Sequence, residues 1–257
     1  MDVLARCGFG PTVAPLLEFP RSSPHGEVLV AAGADRISGA AACASFGETG
    51  WIGALGVAPN ARRHGLGTEL TLAATAWLRA RGARTVLLYA TEMGRPVYER
   101  VGFVAEGAAT AWRGSAGTGP RGVVIRSLRE DDREAVGAVD AGATGERREP
   151  VFAACRPLTG VAAERDGAVA GWAVPSRWGA GVSIAAADPE AGVALMAAAA
   201  RSPGPGVLIV PDANAPAFEA VRRWGFQRAN SGERMRLGPP VAWRPERQFG
   251  LFNLFWG

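Results

Sequence analysis

The chain has no lysine; all 28 of its basic residues are arginine. Alongside so much alanine and glycine, this reflects a biased genome more than a surface built for a polyanion. No basic run and no basic helix face occurs, so a nucleic-acid partner is not expected. There are three cysteines, Cys7, Cys43 and Cys155, and no two have metal-ligand or redox spacing. They read as small core residues in a reducing compartment, so no metal is expected and the chain is expected to be cytoplasmic. Apolar runs of 18 residues are absent, and no basic stretch followed by an apolar one opens the chain. A membrane partner is therefore not expected. Nothing in the pattern fixes the oligomeric state.

What is present is an ordinary globular composition. The 257 residues are 48% hydrophobic and 20% charged, with a net charge of +4. That length suits one large or two small domains. The modest arginine excess favours anionic ligands such as a phosphorylated cofactor.

One stretch carries the chemistry, Leu55-Gly56-Val57-Ala58-Pro59-Asn60-Ala61-Arg62-Arg63-His64-Gly65-Leu66-Gly67-Thr68. It starts as an apolar strand end, breaks at Pro59 and crosses a basic turn. Leu66, Leu70, Ala73, Ala74, Trp77 and Leu78 then recur at helical spacing. The first N–H groups of a helix have no intrahelical partner, and the peptide dipoles leave about half a positive charge there. Gly65 and Gly67 leave those groups uncovered, and Arg62, Arg63 and His64 stand beside them. A diphosphate fits such a place. So does the plainer reading, a glycine-containing turn with solvated arginines. The stretch is not a P-loop, since no Gly-Lys-Ser/Thr follows, and not a dinucleotide fingerprint, since the third glycine is missing.

The wider order is Val57-x-Pro59-x-x-Arg62-x-x-Gly65-x-Gly67, an amphipathic helix, the strand Thr85–Ala90, then Tyr98-Glu99-Arg100-Val101-Gly102-Phe103. This resembles the GNAT superfamily of N-acyltransferases over residues 27 to 104. The resemblance implies that the turn from Arg62 to Thr68 binds the pyrophosphate of acetyl-coenzyme A. It implies that a backbone N–H near Leu55, Gly56 and Val57 holds the thioester carbonyl beside a strand that bulges and splays. It also implies that Tyr98, four residues before the Gly-Phe pair, protonates the departing thiolate. Core packing is the competing role for that ring. Family members often carry asparagine at the position of Thr91.

Along the chain, Val3–Cys7 reads as a helix end, and Pro11, Pro15, Pro20 and Pro24 exclude a long helix after it. The opening strand of the family is missing there. Val28–Ala32 and Ile37–Ser45 read as a hairpin about the turn Ala34-Asp35-Arg36, and Trp51–Val57 feeds the basic turn. Gly53 and Gly56 inside that strand suggest a bulge. Residues 114 to 122 have linker composition. The same order then recurs, ending in Arg222-Arg223-Trp224-Gly225-Phe226, an echo of Glu99–Phe103. The chain thus reads as two tandem GNAT-like α/β domains, each a twisted mixed sheet flanked by helices, at residues 1–115 and 121–257. In the second copy Asp188 and Glu190 stand at the helix start and would repel a pyrophosphate. Phe218 there has no proton to give, so this copy reads as degenerate. Phe249–Trp256 reads as a final strand or, alternatively, a partner or membrane contact.

Acyl transfer from a thioester to an amine needs a proton acceptor, an N–H facing the developing oxyanion and a way for the thiolate to leave. Glu48, before the cofactor strand, is the candidate base; Glu92 is a second, and both also read as solvated turn residues. His64 belongs to the phosphate turn, and His25 has no assigned role. The expected function is acetyl transfer from acetyl-coenzyme A to a primary amine of a small molecule, by direct attack in a ternary complex. The alternatives are a non-catalytic acyl-coenzyme A sensor and a protein N-acetyltransferase.

Overall fold

The computed structural model describes residues 4–9, 13–33, 36–201 and 206–257. Val3, Pro11 and the turn residues Ala34 and Asp35 lie outside these. Packing divides the chain into two compact units: Met1–Glu106 with Glu233–Pro240 and Trp256, and Gly107–Gly232 with Val241–Phe255 and Gly257. The division falls at Glu106–Gly107 rather than in the linker-like segment 114–122, and the first unit includes a segment from near the chain's end.

In the first unit, short helical turns at Ala5–Phe9, Val13–Leu16 and Glu18–Ser22 precede β1 (Gly26–Ala32). The prolines keep them short. β2 (Ile37–Phe46) and β3 (Thr49–Val57) follow, then α1 (Leu66–Arg79), β4 (Thr85–Ala90) and α2 (Arg95–Val101). β1 pairs antiparallel with β2, β2 antiparallel with β3, and β3 parallel with β4. The helix α1 lies where its apolar stripe predicts: Leu70, Ala74 and Leu78 pack on Ile52, Val86 and Leu88. Burying a leucine of that kind contributes roughly 1.5–3 kcal/mol. The helix sits low on the sheet because Gly50 is beneath it. A Cβ on Gly50 would stand 2.6 Å from Leu78 Cδ2. Gly82, at φ +93°, stops the chain from continuing as helix.

The free edge of β4 is not covered by the next strand in sequence. It pairs antiparallel with Glu233–Leu237, from Glu233 opposite Ala90 to Leu237 opposite Val86. Met235 from this segment is buried in the same core as α1.

The second unit takes most of β5 (Val104–Gly114), then β6 (Val124–Ser127), α3 (Arg133–Thr144), α4 (Glu149–Ala154), β7 (Val161–Arg165), β8 (Ala168–Pro175) and β9 (Val182–Ala186). α5 (Pro189–Ala199), β10 (Gly206–Pro211), α6 (Ala215–Arg223), β11 (Gln227–Leu237) and β12 (Gln248–Gly250) complete the order. Strands β12-β9-β8-β7-β6 form one sheet, antiparallel throughout. β10 pairs antiparallel with β5, from Gly206 opposite Gly114 to Pro211 opposite Ala109. The two halves therefore exchange strands: β5, which follows α2 in the chain, serves the second unit, and the second half of β11 serves the first.

An unpaired apolar edge is a template for aggregation. Residues 1–115 expressed alone would expose the edge of β4 along Val86–Ala90. That fragment is expected to elute as aggregate in size-exclusion chromatography and to melt without a cooperative transition, unlike the full chain.

Candidate functional site

β3 and β4 pair only from Thr49 opposite Thr85 to Ile52 opposite Leu88. Beyond Ile52, β3 runs on through Gly53–Val57 with no ladder partner on β4. A bulge drives the departure. Ala40 and Ala42 of β2 face Gly56 and Gly53, so one extra residue is fitted into β3. Ala54 takes it up at φ +47°. A left-handed alanine costs roughly 1–2 kcal/mol, so the surrounding pairs must enforce it. The bulge read from Gly53 and Gly56 is present, and the gap it opens lies between Leu55–Val57 and the end of β4.

At the far end of this gap the chain makes one 3₁₀ turn at Pro59–Ala61 and reaches the basic turn. Arg63 at φ +66° and Gly65 at φ +82° are both left-handed. This turns successive amides to one side, the arrangement that makes an anion-binding concavity. Gly65 caps α1 without a side-chain bond. Among the described residues, the N–H groups of Arg63, His64, Gly65, Leu66 and Gly67 make no hydrogen bond. Those of Thr68 and Glu69 turn back to the Gly65 carbonyl at 2.9 and 3.1 Å. Five consecutive free donors at a helix start, with the exposed side chains of Arg63 and His64 beside them, form a cradle for a polyanion. Leu66 and Thr68 are half-buried.

Arg62 has a different place. Its Nε donates to the Val57 carbonyl at 3.0 Å, and its guanidinium lies 3.9 Å from Met93 Sδ. It ties the turn to the end of β3 and to the loop after β4. Gly67 faces the gap: a Cβ there would stand 3.7 Å from Val97 Cγ1 and 3.9 Å from Val57 Cγ2. A methyl fits; a larger group would press on Val57 and Val97. The residues present thus fit a diphosphate at the turn and a thin chain in the gap.

Tyr98, on α2, is 8% exposed and meets the Phe103 ring edge-on at 5.9 Å. Burial pushes its phenol from 10.0 up to about 12. Its ring belongs to the core under α1, with Leu70, Leu88 and Phe103. Glu48 is not brought to the site. It sits in the β2–β3 turn, exposed, 3.6 Å from Arg84, with its carbonyl accepting the Arg84 and Thr85 N–H groups. β3 carries the chain roughly 25 Å from there to Val57, at about 3.3 Å per residue. Sequence proximity to a strand hides which of its ends is meant. Glu92 is exposed in the turn just after β4, at the site's own end.

The sequence reading missed the other face of this sheet. Trp51 and Tyr89 stack at 5.5 Å, and Arg234 stands directly opposite Tyr89 across the β4 ladder. Arg234 is 1% exposed and its partner is Glu106. Arg234 lies far from the motif in sequence, and only strand exchange brings it beside Tyr89 and Glu106.

The second unit shows the contrast. β9 reaches α5 through Ala187 and Asp188 alone, where the first unit spends residues 58–65. Asp188 caps the helix, its carboxylate accepting the Ala191 N–H at 2.9 Å, and Arg165 pairs with it at 3.1 Å. Phe218 packs edge-on against Trp112 in the core. The strand expected at Phe249–Trp256 is shorter, β12 at Gln248–Gly250, and it pairs with β9. Leu251 N–H then donates to the Ile209 carbonyl of β10 at 3.0 Å. The gap beside β9 is thereby filled by the chain's own backbone. Among the described residues no cluster could hold a metal ion, and no helix is long and apolar enough to cross a membrane.

A bulged strand of the first unit parts from its parallel neighbour above an uncapped helix start, within an α/β domain. Residues 6–103 match the model of the Acetyltransferase (GNAT) family. No curated protein matches in sequence. Among solved structures, the fold is similar to a Pyrococcus horikoshii protein provisionally described as an acetyltransferase. The TM-score is 0.83 at 21% identity, over 100% of this chain and 90% of that one. A GCN5-related N-acetyltransferase from Sphaerobacter thermophilus aligns at TM-score 0.60 and 16% identity, over 84% and 83%. A tandem GNAT protein of the clavulanic acid biosynthesis pathway aligns at 0.57 and 15%, over 93% and 94%.

Gly67→Val is expected to leave the melting temperature within a few degrees of the parent while weakening acetyl-coenzyme A binding at least tenfold by calorimetry, because it fills the gap and not the core. In Tyr89→Phe, Tyr98 is the sole tyrosine. Its phenolate absorbance is expected to rise only near pH 12. Because the folded pKa is raised, the Tyr98 contribution to stability is complete below about pH 10 and is lost between pH 10 and 12.

Proposed function

We propose that the chain is an acetyl-coenzyme A-dependent N-acetyltransferase acting on a primary amine of a small molecule, by direct attack within a ternary complex. The observation that carries this is the end of the β3–β4 ladder at Ile52 together with the five amides at Arg63–Gly67 that make no hydrogen bond. A polyanion cradle thus follows, within a few residues of chain, the β3 backbone groups that have no partner on β4. When bound, acetyl-coenzyme A supplies a thioester whose carbonyl carbon accepts the amine and whose thiolate departs.

The chain's residues then have distinct tasks. The amides and Arg63 hold the diphosphate. A β3 amide near Leu55–Val57, already oriented and facing the gap, stabilises charge on the carbonyl oxygen. Tyr98, held protonated up to about pH 12, donates a hydrogen bond to the leaving sulfur. Full transfer of its proton to a thiolate of pKa about 8.5 would be uphill by about 3.5 units, or roughly 5 kcal/mol. A donor role fits that mismatch better than complete proton release. The sheet face bearing Trp51, Tyr89 and Arg234 is aromatic and cationic, and the carboxylate of Glu106 there is paired with Arg234 and lies 2.8 Å from Arg236. A lysine-bearing peptide would call for free carboxylates there, which favours a small acceptor.

Calorimetry is expected to give one mole of acetyl-coenzyme A per mole of chain, with free thiol released when a primary amine is added. Binding without thiol release across an amine panel would support a sensor instead, and no binding at all would end the proposal.

A further inference from the structure

The proposed reaction needs a group that frees the amine from its proton, and Glu48 lies at the wrong end of β3. The face of the sheet opposite α1 offers another. Side chains alternate along a strand. Ile52, Leu88, Ala90 and Met235 turn to the α1 core, so Trp51, Leu87, Tyr89 and Arg234 turn the other way. Leu88 is the last residue of β4 paired with β3. Tyr89 is the next, and so is the first side chain on this face beyond the point where the strands part.

Tyr89 is half-buried, stacked on Trp51 at 5.5 Å and 22°. Arg234 is its cross-strand partner and hydrogen-bonds to its side chain. The guanidinium carbon lies 5.5 Å from the Trp51 ring centroid. Glu106 pairs with Arg234 and, at 2.8 Å, with Arg236. Glu106 thus holds both guanidinium groups, and Arg234 reaches the Tyr89 oxygen. Burial brings Arg234 down to about 10, and it is still a cation at neutral pH.

We propose that Tyr89 takes the proton from the incoming ammonium, and that Arg234, anchored by Glu106, positions and polarises its hydroxyl. Tyr89 is then a catalytic residue and Arg234 a positioning residue. The inference rests on the acetyl-transfer reading above. Phenols and alkylammonium ions are closely matched in proton affinity, so a proton passes between such groups at little cost, and the Arg234 guanidinium hydrogen-bonded to the oxygen stabilises its anion. A carboxylate near 4.3 would be mismatched by about six units. In the step, the Tyr89 phenolate takes one N–H proton from the ammonium. The neutral amine then bonds to the acyl carbon, the C–S bond breaks and its electron pair leaves on sulfur. The remaining extra N–H proton goes to the thiolate, and Tyr89 returns its proton to water. The matching acceptors are primary alkylamines.

The test compares two acceptors with the full chain at pH 7: an alkylamine, which is protonated, and methoxyamine, which is not. Tyr89→Phe is expected to lower kcat/KM about 100-fold for the alkylamine and less than threefold for methoxyamine, with acetyl-coenzyme A binding unchanged. Tyr89→His, which restores a base, is expected to recover at least tenfold of the alkylamine loss. Arg234→Lys, which keeps the charge and loses the fork, is expected to fall between the parent and Tyr89→Phe. Equal loss with both amines marks a structural role and overturns the inference, as does no loss with either. If the parent binds acetyl-coenzyme A and releases no thiol with any amine, the acetyl-transfer reading fails and this one with it.

Discussion

The end of the β3–β4 ladder at Ile52 and Leu88 is the constraint on which the first unit depends. Two parallel strands that stay paired leave no room between them. Here one extra residue, absorbed at Ala54, turns β3 away while its pairing with β2 continues to Gly39 and Val57. The backbone groups of Gly53–Val57 that face the gap lose their ladder. In exchange the gap gains polar groups of fixed direction, which flexible side chains would not supply. Arg62 then locks the open end by bonding the Val57 carbonyl. The first of the turn's arginines thus acts on the fold, and the exposed charge falls to Arg63.

The second unit meets the same geometric demand and answers it differently. Its β9 passes to α5 in two residues, and the space alongside is filled by β12 and Leu251. The Phe249 ring lies where a Cβ on Gly192 would stand, 2.3 Å from its nearest atom. Backbone bonds of the chain itself satisfy the groups that a ligand satisfies in an open cleft, and Asp188 satisfies the helix start. A fold with an opening for a carrier is stable without one only if something stands in for it or if the opening can be solvated.

Charge inside the first unit follows the strand exchange. Arg234 is fully buried, and such a cation persists only with partners. Glu106 from β5 and Tyr89 from β4 supply them, and Trp51 offers its ring face. None of these partners is near Arg234 in sequence. The polar cluster therefore also selects the register in which β11 lies along β4, since a slip of one residue would turn Arg234 into the α1 core.

Much of this molecule was legible from local pattern. The helical stripe from Leu66, the strand at Thr85–Ala90, the glycine stop at Gly102 and the bulge near Gly53–Gly56 all follow from periodicity and backbone preference, which act over a few residues. The uncapped helix start at Gly65 was legible for the same reason. The place of Glu48 was not, because a motif gives the order of residues along a strand but not which end meets the ligand. Nor was the swap of β5 and β11, because edge pairing is decided by which distant strand best buries its own face. Sequence by itself determined the elements, the basic glycine turn before α1 and the acidic helix start at Asp188, because each rests on short-range geometry and charge. Only the tertiary structure decided which strand closes β4, what fills the space beside β9, and that Tyr89, Arg234 and Glu106 form one cluster, because those depend on contacts between residues far apart in the chain.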